Sequence, residues 1–386
     1  SSCMTEIGQT EFITTSEGLS EIIDRCFENN TYALDTEFHR EKSYYPKLAL
    51  IQFNYGAGVA LVDPTVCAVD PLEELFNSDC LAVMHACSQD LEVLKRYCNA
   101  PPKNIFDTQI AAGFLGMRTP SLSSLHERFL KMKLPKGERL TDWFSRPLSK
   151  RQLEYAIADV ENLLKIHSLL STELINRERM QWAKTEFDLV TARLYEAKDP
   201  SQAWLKIKET RHLGSRSRGV AQAIAEWREI EAQSKDIPAR FIISDIAIVG
   251  IAQRMPKSVD ELMAVRGVDR KHIADTHGAK LLDLVQRGQN IRISIPKETR
   301  EKHLDPSLRP AATLISAWLA QFAKDSDLDP ALLGTRSDIE LLLKEDSESR
   351  LLNGWRSEYV GEPIQRLLEG KASLAFERGR LLLEDR

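Results

Sequence analysis

The chain has 386 residues, more than one ordinary core of about 100–200 residues holds, and its 42% hydrophobic and 28% charged content suits a globular protein in water. No apolar run approaches the roughly 18 residues of a membrane helix, and Ser1 to Gly18 carries acids without a signal-peptide pattern, with Met4 as the expected start. The net charge of −5 is uneven: 22 basic against 29 acidic residues in 1–200, 18 against 12 in 201–300, and 12 against 16 in 301–386, so a polyanion contact is expected in the middle segment.

The first hundred residues alternate between strand and helix patterns. Ser20 to Phe27 reads as a helix, Tyr32 to Phe38 as a strand, and Leu48 to Phe53 with Val59 to Val62 as a hairpin across the turn-forming Asn54 to Gly58. Leu72 to Phe76 and Gln89 to Tyr97 read as helices on either side of a short strand, Ala82 to His85. From about Thr108 the pattern turns helical. Ser121 to Phe129 is one expected helix, Lys131 to Arg146 is irregular, Ser149 to Leu170 is one long amphipathic helix, and Thr172 to Ala197 is another. Lys198 to Ser201 is a linker. The six cysteines end at Cys98 and show no C-x-x-C pair, which points to reduced thiols in a cytoplasmic protein.

Beyond residue 200 the expected strand is Ile291 to Ile295, and Phe376 to Arg386 reads as helix or a fraying tail. A faint repeat runs through this part. Ile224-Ala-Glu-Trp227 is echoed by Ile315-Ser-Ala-Trp318, and Ser244-Asp-Ile246 by Ser337-Asp-Ile339, which gives two helical modules divided near Pro296 to Pro310.

The best chemical signal is Asp35-Thr-Glu37 inside an apolar strand. Residues two apart on a strand share a face, and two carboxylates on a buried face repel each other unless a cation relieves them. The plain alternative is that one edge faces solvent. Asp90 begins a helix, where an N-cap role is the plain reading. Tyr155 and Asp159 stand four apart on one helix face. Four carboxylates suit two hard divalent cations, and such a pair stabilises both oxygens of a phosphoryl displacement.

These residues resemble the tyrosine-bearing branch of the DEDD exonuclease superfamily. Ala33 to Phe38, Tyr44 to Leu48 with Leu50-Ile-Gln52, His85-Ala86 with Gln89 to Glu92, Thr141-Asp-Trp-Phe-Ser-Arg-Pro-Leu148 and Gln152 to Val160 are similar to the bacterial ribonuclease D family, and the two C-terminal modules resemble HRDC domains. The resemblance implies an α/β exonuclease domain over 1–200, ribonuclease H-like with a mixed sheet flanked by helices. Two all-α HRDC-type modules would follow over 201–295 and 305–386. It implies that Asp35, Glu37, Asp90 and Asp159 hold two Mg2+ or Mn2+ ions and that Tyr155 positions the attacking water. It implies hydrolysis of RNA from the 3′ end to nucleoside 5′-monophosphates, with transfer RNA precursors and other small RNAs as substrates.

His39, Lys136, Arg139, Arg216, Arg218, Arg266 and Lys271 are candidate RNA contacts, with Arg211 to Arg218 read as a basic loop; solvated surface is the plain reading for each. His85 is expected to be a sheet-end or core histidine, and Trp204, Trp227 and Trp318 to be core. No G-x-x-x-x-G-K-[ST] loop is present, so ATP hydrolysis is not expected. A monomer is the default. Two rivals remain: a DNA exonuclease of the same fold, and a non-catalytic RNA-binding protein on a nuclease fold.

Overall fold

The structure, a computed structural model, describes residues 10–135, 137, 141–291, 293 and 304–386. Two compact units divide the chain. One holds the described residues of Ser1–Glu37, Leu48–Leu194 and Glu301–Arg386; the other holds those of Phe38–Lys47 and Tyr195–Arg300.

The first unit is built on a six-stranded mixed sheet in the order β1-β4-β3-β2-β5-β6. Its strands are β1 (Thr10–Ile13), β2 (Thr31–His39), β3 (Lys47–Asn54), β4 (Val59–Val62), β5 (Leu81–Met84) and β6 (Ile105–Asp107). The β3–β4 pair is antiparallel, with Ile51 opposite Val62, as the turn between them predicts. The β1–β4, β2–β5 and β5–β6 pairs are parallel. β1 and β6 have four and three residues and carry too short a pattern to read from sequence.

Helices α1 (Ser16–Asn29), α2 (Leu72–Phe76), α3 (Ser88–Tyr97), α4 (Thr108–Gly113), α5 (Leu122–Leu125), α6 (Lys150–Glu161), α7 (Leu163–Asn176) and α8 (Met180–Arg193) complete this α/β core. Ser121 caps α5, but a π-helical turn, His126–Leu130, follows where one regular helix was predicted. The expected helix from Ser149 to Leu170 is two. α6 opens with a capping box between Ser149 and Gln152, and it ends where the Asn54 side-chain amide donates to the carbonyls of Val160 (3.1 Å) and Glu161 (2.8 Å). That long-range cap satisfies the helix end from β3, so the chain turns at Asn162. The expected helix from Thr172 to Ala197 is likewise broken, at Glu178, whose φ is 57°.

The C-terminal segment packs within the same unit. The helix Arg309–Asp325 and shorter helices Pro330–Leu333, Arg336–Leu343, Gly354–Arg356 and Glu362–Leu368 lead into a hairpin, β7 (Ala372–Glu377) and β8 (Arg380–Asp385). This corrects the expectation of an all-α module with a helical or frayed tail. Arg378 and Gly379 both have positive φ, 49° and 80°, as the two central residues of a primed hairpin turn require.

The segment is held by polar contacts, half-buried at Arg179 and buried at Arg356. Arg179 donates to the carbonyls of Phe114 (2.7 Å), Asp327 (3.0 Å) and Ser326 (2.6 Å). Arg356 pairs with Glu186 at 2.7 Å. Trp182 stacks on Trp355 with centroids 4.9 Å apart and ring planes within 10°.

The second unit is helical: α9 (Ser215–Lys235), α10 (Ala239–Ile242), α11 (Asp245–Arg254), α12 (Val259–Met263) and α13 (Asp275–Gly288). α9 and α13 touch backbone to backbone, since a Cβ on Gly219 would lie 2.2 Å from the Gly288 carbonyl oxygen. Trp204 is buried and Trp227 packs against the same core, while Trp318 is buried in the first unit; all three are packing residues as expected. The expected strand at Ile291 to Ile295 is not formed at its described residues, Ile291 and Ile293; the rest of it lies outside the described residues. No helix among the described residues is long and apolar enough to cross a membrane.

Candidate active site

β2 carries Asp35 and Glu37 on one face, and α6 carries Asp159. Their carboxylate oxygens converge to within 4.8 Å of one another. Glu37 and Asp159 are largely buried, and Asp90 is equally so at the start of α3. The Thr36 hydroxyl donates to Asp90 Oδ1 at 2.5 Å, so the residue between the two strand acids ties α3 to β2. Tyr155 lies one helical turn before Asp159, with its ring 6.0 Å from that of buried Trp143.

The electrostatics are those of crowded anions. Burial, then the charges of Asp90, Asp159 and Glu37, push the Asp35 carboxyl well above the usual carboxylate range, against a backbone hydrogen bond from Thr36. Burial pushes Asp90 up to about 6, although the Thr36 hydroxyl works in the other direction. Crowding of this kind is costly without a cation, and an all-oxygen donor set suits a hard divalent ion. The residues present therefore fit such an ion.

The frame around these acids was not legible beforehand. Arg146 reaches both Asp63 oxygens (2.6 and 2.9 Å) and the carbonyls of Ala49 (2.8 Å) and Trp143 (2.6 Å). It thus pins the segment leading into α6 onto β3 and the end of β4. Asp107 accepts amides from both the entry to α3 and the first turn of α4. Its one sequence signal was an Asp-Thr pair opening a helical pattern. His85 behaves as a sheet-end residue, with Nδ1 2.9 Å from the Thr108 hydroxyl. Gln52 is fully buried in β3.

The candidate RNA contacts are less gathered. His39 is half-buried at the end of β2. Lys136 and Arg139 lie outside the described residues. Arg216 and Arg218 stand in the first turn of α9 rather than in a loop, because the helix begins at Ser215. Arg216 bonds the Gln289 side chain and Arg218 the Arg211 carbonyl. Arg266 and Lys271 are exposed on either side of Gly267, whose φ is 86°.

Comparison with known proteins gives the family. A 3′-5′ exonuclease family model matches residues 10–175, and an HRDC domain model matches residues 217–285. The chain is 34% identical over 379 residues to ribonuclease D of Zymomonas mobilis, covering 96% of this chain and 97% of the relative. It is 31% identical over 370 residues to ribonuclease D of Escherichia coli K12, covering 93% and 98%. The crystal structure of Escherichia coli RNase D, described as an exoribonuclease involved in structured RNA processing, superposes with a TM-score of 0.84 at 31% identity over 94% of this chain and 99% of that one.

Proposed function

The chain belongs to the ribonuclease D family and is a 3′-5′ exoribonuclease, and from that premise we propose that Asp35, Glu37, Asp90 and Asp159 hold two divalent cations, Mg2+ or Mn2+. The observation that carries this reading is the convergence of three carboxylates from two separate elements to within 4.8 Å. Bound there, the cations supply Lewis-acid stabilisation of charge on the attacking and leaving oxygens.

The protein's own groups do the rest. The carboxylates would give up their protons to the cations on binding, with Asp90 fixed by the Thr36 hydroxyl. Tyr155 directs its hydroxyl at the water that attacks the terminal phosphodiester, and its place on α6 sets the geometry relative to Asp159. Trp143 packs beside the Tyr155 ring and limits its swing. The products are nucleoside 5′-monophosphates.

The substrates we propose are transfer RNA precursors and other small RNAs with free 3′ ends, acted on by a cytoplasmic monomer. His39, Lys136, Arg139, Arg216, Arg218, Arg266 and Lys271 contact RNA phosphates, without reading sequence. The domains run 1–200, 201–295 and 305–386. A second HRDC-like module over 305–386 is supported by the order of its helices. The Trp318-bearing helix Arg309–Asp325 and then Arg336–Leu343, capped by Thr335, follow the order of α9 and then α11, capped by Ser244.

The test is cleavage of a 5′-labelled single-stranded RNA at single-nucleotide resolution, in Mg2+, Mn2+ and chelator, beside DNA of the same sequence. Wild type shortens RNA from the 3′ end only with metal, and Asp35→Asn does not. Ladder formation in chelator overturns the metal assignment. Equal trimming of DNA overturns the RNA preference.

A further inference from the structure

Asp90 enters the acid cluster from the first turn of α3, yet α3 has no cap of its own. Cys87 stands at the N-cap position and makes no side-chain bond to the helix. The backbone just before it is also unfavourable: Ala86 has φ 53°, a left-handed conformation that a residue with a Cβ adopts at a cost. Such a residue persists where its surroundings over-determine it.

The surroundings in question are one carboxylate. Asp107, 3% exposed, sits at the end of β6, where it is paired with Met84 of β5. Its Oδ1 accepts the Ala86 amide at 3.0 Å, and its Oδ2 accepts the Cys87 amide at 3.0 Å. The same Oδ1 accepts the amides of Gln109 (2.9 Å) and Ile110 (3.4 Å) and so caps α4. Fully buried Thr108 adds a hydroxyl bond to the Met84 carbonyl (3.2 Å) and a contact with His85 Nδ1 (2.9 Å). The start of α3 is therefore held from β6 and α4 across the β5–β6 pair.

We propose that Asp107 is a positioning residue for the nuclease reaction: by gripping the Ala86 and Cys87 amides it holds the left-handed turn that delivers Asp90 to Asp35, Glu37 and Asp159. The inference rests on the reading of those four acids as metal ligands. Asp107 itself is turned to backbone amides. Its role is to fix where the α3 ligand stands, and the measurable consequence is divalent-cation affinity in the absence of RNA.

The test is calorimetric titration of the full chain with Mn2+, on protein shown to be folded by its melting curve. Asp107→Ser is the informative variant. Serine retains a good N-cap for α4 but is too short to reach the Ala86 and Cys87 amides. We expect its Mn2+ dissociation constant to rise at least tenfold. Adding Ala86→Gly restores a threefold or greater part of that loss, because glycine takes the positive φ without strain. A residue that merely supported the fold would move the melting temperature and leave this rescue of affinity absent. Wild-type Mn2+ affinity in folded Asp107→Ser overturns the proposal, as does a loss that Ala86→Gly leaves untouched. Should Asp107→Ser not fold, Asp107→Asn is read by the same criteria, and failure of both to fold overturns it. Asp35→Asn separates the two levels of argument. If wild type and Asp35→Asn bind Mn2+ alike, the metal reading of the acids falls, and this inference with it. If only Asp35→Asn loses binding, the metal reading stands and the Asp107 assignment alone is wrong.

Discussion

Replacing Glu186 by methionine tests how the C-terminal segment is fastened to the exonuclease core. Arg356 is 4% exposed, and its guanidinium has two hydrogen-bond partners, Glu186 at 2.7 Å through Nη1 and the Leu332 carbonyl at 2.7 Å through Nε, and lies 4.5 Å from the Trp355 ring centroid. Nη2 has none among the described residues. The Trp355 indole N–H also donates to Glu186, at 3.3 Å. Glu186→Met leaves a buried cation without its counter-charge and an indole N–H without its acceptor, which predicts a loss of about 3–5 kcal/mol. Removing both charges in Glu186→Met/Arg356→Met leaves apolar side chains of similar length in the same space. That pair should sit within about 2 kcal/mol of wild type, a coupling of 2 kcal/mol or more. Urea titration followed by tryptophan fluorescence reads this step directly, because Trp182 and Trp355 stack beside the pair. A Glu186→Met cost below about 1 kcal/mol, or a double variant whose cost is the sum of the singles, would refute the reasoning.

Asp35→Asn should lower RNA cleavage by more than about 1,000-fold, the several kcal/mol of charge stabilisation that depends on the cation site. The same change should raise the melting temperature in chelator by a few degrees, since it removes a carboxylate buried among three others. Asp90 titrates near 6 in the metal-free protein, above its unfolded value. Its neutral form is therefore favoured in the fold, and the associated stability is present below about pH 4 and lost as pH rises through 6. Mn2+ affinity should accordingly climb between pH 5 and 7 with proton release, measured by calorimetry in two buffers of different ionisation enthalpy. Arg146→Lys should cost about 2–4 kcal/mol by urea titration, because an ammonium cannot reproduce the fork to Asp63 and the Ala49 carbonyl. Burial alone would raise Asp63, but Arg146 and Thr65 hold it below its usual value. In wild type this contribution is lost only as pH falls through that lowered value, and in Arg146→Lys the share owed to Arg146 should shrink while that of Thr65 stays.

The acids were legible because each lies in a strong local pattern: the two-residue spacing on β2, the opening of α3, and the four-residue spacing on α6. Their partners were not, because they act across long sequence distances. Thr36 looks like a strand residue until Asp90 is seen beside it, 54 positions on. Asn54 looks like the start of a turn, yet it ends α6 from 106 residues away. The α6–α7 break escaped for that reason: nothing local marks Asn162 as a stop, and the apolar stripe runs through it. The C-terminal hairpin was misread because β7 and β8 face solvent on much of their surface and show weak alternation. The echo between Trp227 and Trp318 was a pattern of helices alone. It said nothing of which surface the last module would cover.

The Arg179 contacts also set a clock. Its partners Ser326 and Asp327 lie 147 and 148 residues downstream, and Arg356 lies 170 beyond Glu186. At about 5–20 residues per second of synthesis, α8 waits roughly 7–35 s on the ribosome before those groups emerge. For that interval the nascent exonuclease core presents Trp182 and Glu186 uncovered, so chaperones or proteases meet a surface that the finished protein never shows. A premature stop between Leu194 and Ser326 would make that condition permanent.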